Sequence, residues 1–214
     1  MRRLKISAPY REFIQEINSL IRIDNNNQSS FSSTISQSKQ IISKHQLVLL
    51  TEGLFFSAYR AFESLVEEVF LLYTLEKPNI KNKKTVSYLK PRNFEHAFDL
   101  IKSSLRYLDW QSPDIVINRA ETYLKNGGQI KTPLTSNRVI LNQMKKIRNR
   151  IAHTSRESLN EYKKVLLSHY KIIPLKIPKP GDFLLNIVPG SNPPIHYLVY
   201  FLENLKNIAT DMTH

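Results

Sequence analysis

Apolar residues recur at helical spacing along most of the chain, and the spacing predicts several long helices. Pro9 to Asp24 is predicted as an amphipathic helix, and the polar run Asn25 to Ser33 as a loop. Ile35 to Glu76 is predicted to be mostly helical, in two pieces around Gly53. Its second part, Leu54 to Leu75, is apolar on most sides and is therefore expected to be the central buried helix.

The middle of the chain contains recognisable helix starts. The stretch from Asn79 to Pro91 lacks a clear period and is predicted as an exposed loop. Asn93 can cap a helix that continues to about Leu108. Ser112 and the proline after it open another helix, which continues to about Lys125.

Prolines determine which segments near the carboxyl end can be helical. A helix is predicted to begin at Ser136 or Asn137, and Arg156 to Tyr170 is a further helix or its continuation after a kink. Ile172 to Ile177 and Phe183 to Val188 are predicted as a short two-stranded ribbon, because the intervening prolines exclude a long helix. Pro194 to Met212 is predicted as the closing helix. The expected fold is therefore an all-α helical bundle, a single domain over 1–214, with a Pro-rich extended or two-stranded segment before its last helix.

Charge narrows the choice of partner. The chain has 31 Lys and Arg residues against 18 Asp and Glu residues, for a net charge of +13. Lys77 to Phe94 contains six cations and no acid, and Thr122 to Arg156 contains eight cations and no acid. Such blocks favour a polyanionic partner, with nucleic acid first and an anionic membrane second.

Composition excludes several classes of protein. With no Cys there are no disulfides and no thiolate zinc site, which fits a cytoplasmic protein. No apolar stretch follows Met1 to Lys5, so no signal peptide is expected, and charged residues interrupt Leu47 to Leu75, so no membrane span is expected. Phosphate-binding glycine loops, nucleophile elbows and histidine pairs at metal-ligand spacing are missing, so neither a cofactor nor a metal is expected.

The segment from Lys145 to His153 contains the candidate chemistry. On a helix with about 100° per residue, Arg148, Asn149 and His153 lie outside the apolar face. Ala152 lies between Arg148 and His153 in projection, and its small side chain would let a partner helix approach closely. The apolar face consists of Ile140, Met144, Ile147 and Ile151.

An arginine, an amide and an imidazole suit the cleavage of RNA, because the 2′-hydroxyl of RNA can act as the nucleophile. His153 can transfer a proton near neutral pH, and Arg148 can stabilise charge on the phosphorane. Asn149 can orient His153 or donate to a phosphate oxygen, and the product would have a 2′,3′-cyclic phosphate. Further cations that can bind RNA are Lys145, Lys146 and Arg150. On chemistry alone, the competing interpretation is a basic helix face with a solvated histidine.

Arg148 to His153 resembles the Arg-x4-6-His signature of HEPN domains, including the polar residue that commonly follows the arginine. Tyr59 to Glu68 resembles the long early helix of such domains. The resemblance covers roughly Leu47 to Leu167 and is closest to prokaryotic HEPN nucleases of toxin and defence systems.

The resemblance implies a helical bundle that dimerises through the motif helix and cuts RNA without metal. It implies that Arg148 and His153 are catalytic, that Asn149 is auxiliary, and that the protein is a toxin or an antiphage effector. The implied partners are RNA, a second copy of the chain, and an antitoxin or regulatory protein, but not a membrane. Two alternatives stay open: a non-catalytic HEPN module that binds RNA or protein, and an unrelated basic helical protein that binds DNA or acts as an adaptor.

Overall fold

The computed structural model describes residues 5–37 and 42–214. Within these ranges the regular structure is helical, with two isolated β-bridges and no strand, so the all-α prediction is confirmed. The helices are α1 (Ser7–Gln37), α2 (Lys44–Thr74), α3 (Phe94–Lys102), α4 (Pro113–Tyr123), α5 (Lys131–Ser136), α6 (Arg138–Ala152), α7 (Arg156–Tyr170), α8 (Pro180–Leu184) and α9 (Tyr197–Thr213).

Helix α1 continues through Asn25–Ser33, so the prediction of a loop there is wrong. Hydroxyl groups in this segment donate to the carbonyl four residues earlier: Ser29 to Asn25, and Ser33 to Ser29, each at 2.9 Å. Phe31 packs against a buried apolar cluster, and this tertiary contact favours the helix over a solvated loop. The cluster consists of Ile42, Leu47, Val48 and Leu185.

Helix α2 begins with a capping box. The Ser43 amide donates to Gln46 Oε1 at 2.7 Å, and the Gln46 amide donates to Ser43 Oγ at 3.2 Å. The helix passes through Gly53 without a break, so the predicted division into two pieces is wrong. Residues 38–41 of the predicted helix lie outside the described residues. The predicted burial of its second half is confirmed by the fully buried Phe55, Tyr59, Val69, Phe70 and Tyr73.

The capped start of α3 is confirmed, since Asn93 Oδ1 accepts from the His96 amide at 2.8 Å. The helix ends at Lys102 rather than near Leu108, because Ser103 has a φ of +45° and leaves the helical region. Helix α4 begins at Pro113 as predicted. Helix α5 was not predicted.

Helices α6 and α7 were both predicted, and residues 153–155 between them are not helical. Ser155 caps α7 by accepting from the Ser158 amide at 3.2 Å. Met144 and Ile147 are buried as predicted, whereas Ile151 is half-buried. Leu141 is buried while Ile140 is only half-buried, so the apolar face is rotated slightly from the predicted one.

The predicted two-stranded ribbon is wrong. Phe183 and Leu184 of its second segment belong to the short helix α8, which has Pro180 in its first turn. Ile187 of the same segment forms an isolated bridge with His196, not with the first segment. The Gly181 amide donates to Glu52 Oε1 at 3.0 Å, and Phe183 is buried with its ring stacked on Tyr197 at 4.6 Å between centroids. Burial of an aromatic ring against other aromatics stabilises the helical turn over an extended strand.

The described chain divides into two compact units. The first contains residues 5–15, Ala61–Asn142 and Leu205–His214, and the second contains residues 16–37, 42–60 and Gln143–Asn204. The boundaries fall inside helices, so this division leaves the single-domain prediction untested. None of the helices in the described ranges combines the length and the apolar character that crossing a membrane requires.

Hydrogen bonds to the last turn of α9 organise the first unit. Tyr73 donates from its hydroxyl to the Met212 carbonyl at 2.7 Å, and the Ile80 amide donates to the Thr213 carbonyl at 2.8 Å. The second unit contains an aromatic core, which holds the end of α7 against α8 and α9. Its rings are those of Phe55, Tyr162, His169, Phe183, Tyr197 and Phe201.

Candidate active site

The candidate site lies in the second unit, at the carboxyl end of α6 and in the turn that follows. Met144 and Ile147 anchor the inner face of this part of the helix in the core. Arg148 and Asn149 are half-buried on its other side, and Ala152 and His153 are exposed. The structure therefore brings together the three residues predicted to be catalytic, within six positions of one helix end.

The guanidinium of Arg148 is held on two sides. Its Cζ lies 5.0 Å from the centroid of the Phe56 ring on α2, within the range of a cation–π contact. Its Nη1 donates to Asn149 Oδ1 at 3.3 Å. A guanidinium restrained in this way loses less conformational entropy when it binds an anion, which suits a role in charge stabilisation.

His153 directly follows Ala152, the last residue of α6. Its amide still donates to the Asn149 carbonyl at 2.9 Å, so its backbone is fixed by the last helical turn. Its side chain is exposed, and within the described part of the chain its imidazole has no hydrogen-bond partner. The ring is consequently free to contact a substrate or another molecule.

A network of polar contacts closes the turn after His153. Arg150 Nη1 lies 3.4 Å from the His153 carbonyl, 3.5 Å from the Ser155 carbonyl and 3.4 Å from Ser158 Oγ. The Ser158 hydroxyl lies 2.9 Å from both carbonyls and donates to one at a time. The carbonyl of His153 is thus fixed from two directions.

The three cations predicted to bind RNA have different surroundings. Arg150 faces the turn, as described above. Lys146 Nζ forms an ion pair with Glu161 Oε2 at 3.0 Å, and Glu161 also pairs with Lys164. Hydrogen bonds from Lys164 and Lys146 lower the pKa of Glu161. Lys145 is half-buried and has no ion pair among the described residues, so it is the most available of the three.

The aromatic core contains a second histidine with a different environment. His169 Nε2 lies 3.3 Å from Gln143 Oε1, and Nδ1 lies 3.1 Å from the Tyr197 hydroxyl. Since Oε1 only accepts, Nε2 carries the proton and Nδ1 accepts from Tyr197. Burial, and to a smaller extent the charge of Lys171, lowers the pKa of His169, which stabilises the neutral ring. This histidine is a packing residue with satisfied nitrogens.

The residues that contact the candidate site residues or the turn after them were not predicted from the sequence. Phe56 lies in the segment predicted as the central buried helix, and its contact with Arg148 depends on the packing of α2 on α6. Ser155 had a signal in the sequence, since a serine directly before an amphipathic segment is typical of a helix cap, whereas Ser158, inside the first turn of α7, had none.

Chemically, the site offers a fixed guanidinium for a phosphate and an exposed imidazole for proton transfer. One copy of the chain supplies one such imidazole, whereas concerted acid–base cleavage uses a base and an acid. Among the described residues, no three His, Asp or Glu side chains are close enough together to hold a metal ion.

In comparisons with known proteins, no family model matches the chain, and no curated protein or solved structure is significantly similar to it.

Proposed function

We propose that this protein is a metal-independent endoribonuclease of the HEPN type, which acts as a homodimer on RNA as a toxin or antiphage effector. The observation that carries the proposal is the presence of a restrained guanidinium, Arg148, in the last turns of α6 and of an exposed imidazole, His153, directly after the end of that helix. The hexapeptide from Arg148 to His153 also resembles the HEPN signature. The net charge of +13 favours a polyanionic substrate.

In the proposed reaction, the imidazole of His153 removes the proton from a 2′-hydroxyl. The 2′-oxygen attacks the adjacent phosphorus, and the bond from phosphorus to the 5′-oxygen breaks. The His153 of a second copy gives a proton to the leaving 5′-oxygen. Arg148 stabilises the negative charge of the phosphorane, and Asn149 holds the guanidinium in place. The products are a 2′,3′-cyclic phosphate and a 5′-hydroxyl.

The experiment compares RNA with its 2′-O-methylated counterpart of identical sequence, each incubated with purified protein in excess EDTA. We expect cleavage of the unmodified RNA only, with cyclic-phosphate and 5′-hydroxyl ends. Cleavage of the methylated strand or formation of 5′-phosphate ends would contradict the proposal, because neither is compatible with attack by the 2′-oxygen.

A second candidate function is a non-catalytic HEPN module that binds RNA or a protein. It is favoured by the imidazole of His153, which has no orienting partner among the described residues, whereas general bases are commonly oriented by a third group. Salt-dependent RNA binding by a dimer without cleavage would identify this function.

A further inference from the structure

Two cation-rich segments that the proposed active site does not use meet in the first unit. They belong to the two acid-free stretches, 77–94 and 122–156. Ser87 and Leu124 form an antiparallel β-bridge. On either side of it, the Lys125 amide donates to the Val86 carbonyl and the Tyr88 amide donates to the Tyr123 carbonyl, each at 2.9 Å. The backbone of both segments is thereby fixed.

A glycine turn brings the segments closer still. Gly128 has a φ of +57°, and a Cβ at this position would lie 2.7 Å from Thr85 Cγ2. A larger residue would therefore push the two segments apart. Beside this contact is a cleft of about 410 Å³, whose walls include Lys83, Gln129 and Asp211.

Burial alternates along the first segment and separates an inner side from an outer one. Thr85 and Ser87 are buried, whereas Lys84, Val86 and Tyr88 are exposed. On the second segment Leu124 is buried and Lys125 is exposed. Because side chains of extended chains point alternately to opposite sides, Lys84, Val86 and Tyr88 share the outer side of the first segment. Lys125 begins a short 3-10 helix and lies opposite Val86, whose carbonyl accepts from the Lys125 amide. We name Lys84, Val86, Tyr88 and Lys125 the basic face.

The cations of the basic face are available to an external anion. Neither Lys84 nor Lys125 forms an ion pair with any described residue. The nearby carboxylate of Glu76 already accepts from Lys90 at 3.2 Å and from the Ser87 amide at 3.1 Å. Glu121 pairs with Lys131 at 2.6 Å.

Tyr88 gives the basic face a second property. Tyr88 is 59% exposed, while its amide is fixed by the hydrogen bond to the Tyr123 carbonyl. An exposed ring beside cations suits stacking on an unpaired base while the cations contact the phosphates.

We propose that the basic face binds single-stranded RNA, with Lys84 and Lys125 on the phosphates and Tyr88 stacked on a base. The choice of RNA over DNA rests on the proposed function, whereas the choice of a single strand rests on Tyr88. The basic face belongs to the first unit, so its residues are distinct from those of the candidate active site in the second.

The test measures binding of a labelled 2′-O-methyl oligoribonucleotide of about 12 nucleotides across a range of salt concentrations. Methylation blocks cleavage through the 2′-hydroxyl, so binding is measured alone. In Lys84→Gln/Lys125→Gln we expect weaker binding and a log–log salt slope lower in magnitude by about 1.4, or ~0.7 for each lost phosphate contact. In Tyr88→Ala we expect an affinity at least about fivefold lower with the slope unchanged.

Two control variants separate this surface from net charge and from folding. Arg11→Gln/Arg22→Gln removes the same charge from exposed positions of α1 and should leave the slope as in the wild type. Lys84→Arg/Lys125→Arg keeps the charge and should retain binding, which excludes a folding defect as the cause of the loss.

An unchanged salt slope in Lys84→Gln/Lys125→Gln would overturn the proposal. An equal loss of RNA affinity in that variant and in Arg11→Gln/Arg22→Gln would overturn it as well. Loss of binding to anionic vesicles or duplex DNA, with no effect on the single strand, would assign the face to another ligand. If unmodified RNA is not cleaved but the slope changes as expected, the proposed function fails while the basic face stands.

Discussion

Arg150 donates from Nη1 to the backbone carbonyl of His153 at 3.4 Å, so a residue of α6 restrains the backbone of the residue that directly follows the helix. Ser158, from the first turn of α7, approaches the same carbonyl at 2.9 Å. The His153 amide is bound by the Asn149 carbonyl. Both polar groups of the His153 backbone are therefore satisfied, while its imidazole is exposed. The backbone of the proposed proton carrier is therefore positioned, while its ring is left accessible to a substrate.

Arg150→Ala tests whether Arg150 positions His153 or binds phosphate. We expect kcat to fall between about 10- and 100-fold with KM little changed, since a displacement of about 1 Å can cost on the order of 100-fold. The salt slope of RNA binding should stay as in the wild type. Hydrogen exchange of the His153 amide should accelerate, which nuclear magnetic resonance can follow residue by residue.

Ser158→Ala is the matched variant on the other side of the same carbonyl. It should lower kcat in the same direction, since it removes the second donor to the turn. If Arg150→Ala instead lowers the salt slope by about one unit and leaves amide exchange unchanged, Arg150 binds a phosphate and the positioning role is wrong.

The contact between Arg148 and Phe56 predicts a dependence of activity on an aromatic ring. Phe56→Leu keeps an apolar side chain but removes a cation–π contact worth about 0.5–2 kcal/mol. We expect kcat/KM to fall roughly 2- to 30-fold. Phe56→Tyr retains the ring and should retain activity. Equal activity in all three proteins would show that the ring does not contribute to the function of Arg148.

We predict that a second copy of the chain packs closely against Ala152. It is exposed beside His153, so Ala152→Glu should leave the fold of one copy intact while blocking close helix packing. We expect a dimer of the wild type and a monomer of the variant by light scattering, with cleavage lost in the variant. Ser57→Glu, at an exposed position of α2, is the control and should stay dimeric. A monomeric wild-type protein that cleaves RNA would contradict the two-copy site.

His169 predicts a pH dependence of stability. Burial lowers its folded-state pKa below the unfolded value of about 6.5. In the window between the two values the unfolded chain binds more protons, so stability is full above the unfolded pKa and falls as the pH drops below it. Urea unfolding at several pH values should show this loss in the wild type and a smaller loss in His169→Gln. If stability falls equally with decreasing pH in both proteins, the loss arises from the titration of other groups.

Much of the helical structure follows from local patterns in the sequence. Helices α4 and α7 begin where a proline or a serine cap precedes an amphipathic run. The extension of α1 could not be predicted in this way, because Asn25 to Ser33 has loop-like composition and is helical through back-bonded hydroxyls and the packing of Phe31. Helix α8 escaped prediction for a similar reason, since the aromatic stack of Phe183 on Tyr197 joins residues far apart in the chain.

Part of the candidate site could likewise be predicted from the sequence, and part could not. The positions of Arg148, Asn149 and His153 on one side of a helix end follow from helical periodicity alone. The contacts of Arg150 with the turn depend on where α6 stops and α7 starts, which periodicity predicts only to within a few residues. The meeting of the two basic segments depends on a β-bridge between residues 37 positions apart, Ser87 and Leu124, and no local pattern encodes it.

The most direct test of the central claim is cleavage of a structured RNA in EDTA by the wild type, His153→Ala and His45→Ala. His45 is an exposed histidine on α2, so its replacement controls for loss of an imidazole at the surface. We predict cleavage by the wild type and by His45→Ala, and a rate at least about 100-fold lower in His153→Ala with the same thermal midpoint. Equal cleavage by all three proteins would contradict the assignment of His153 as the proton carrier.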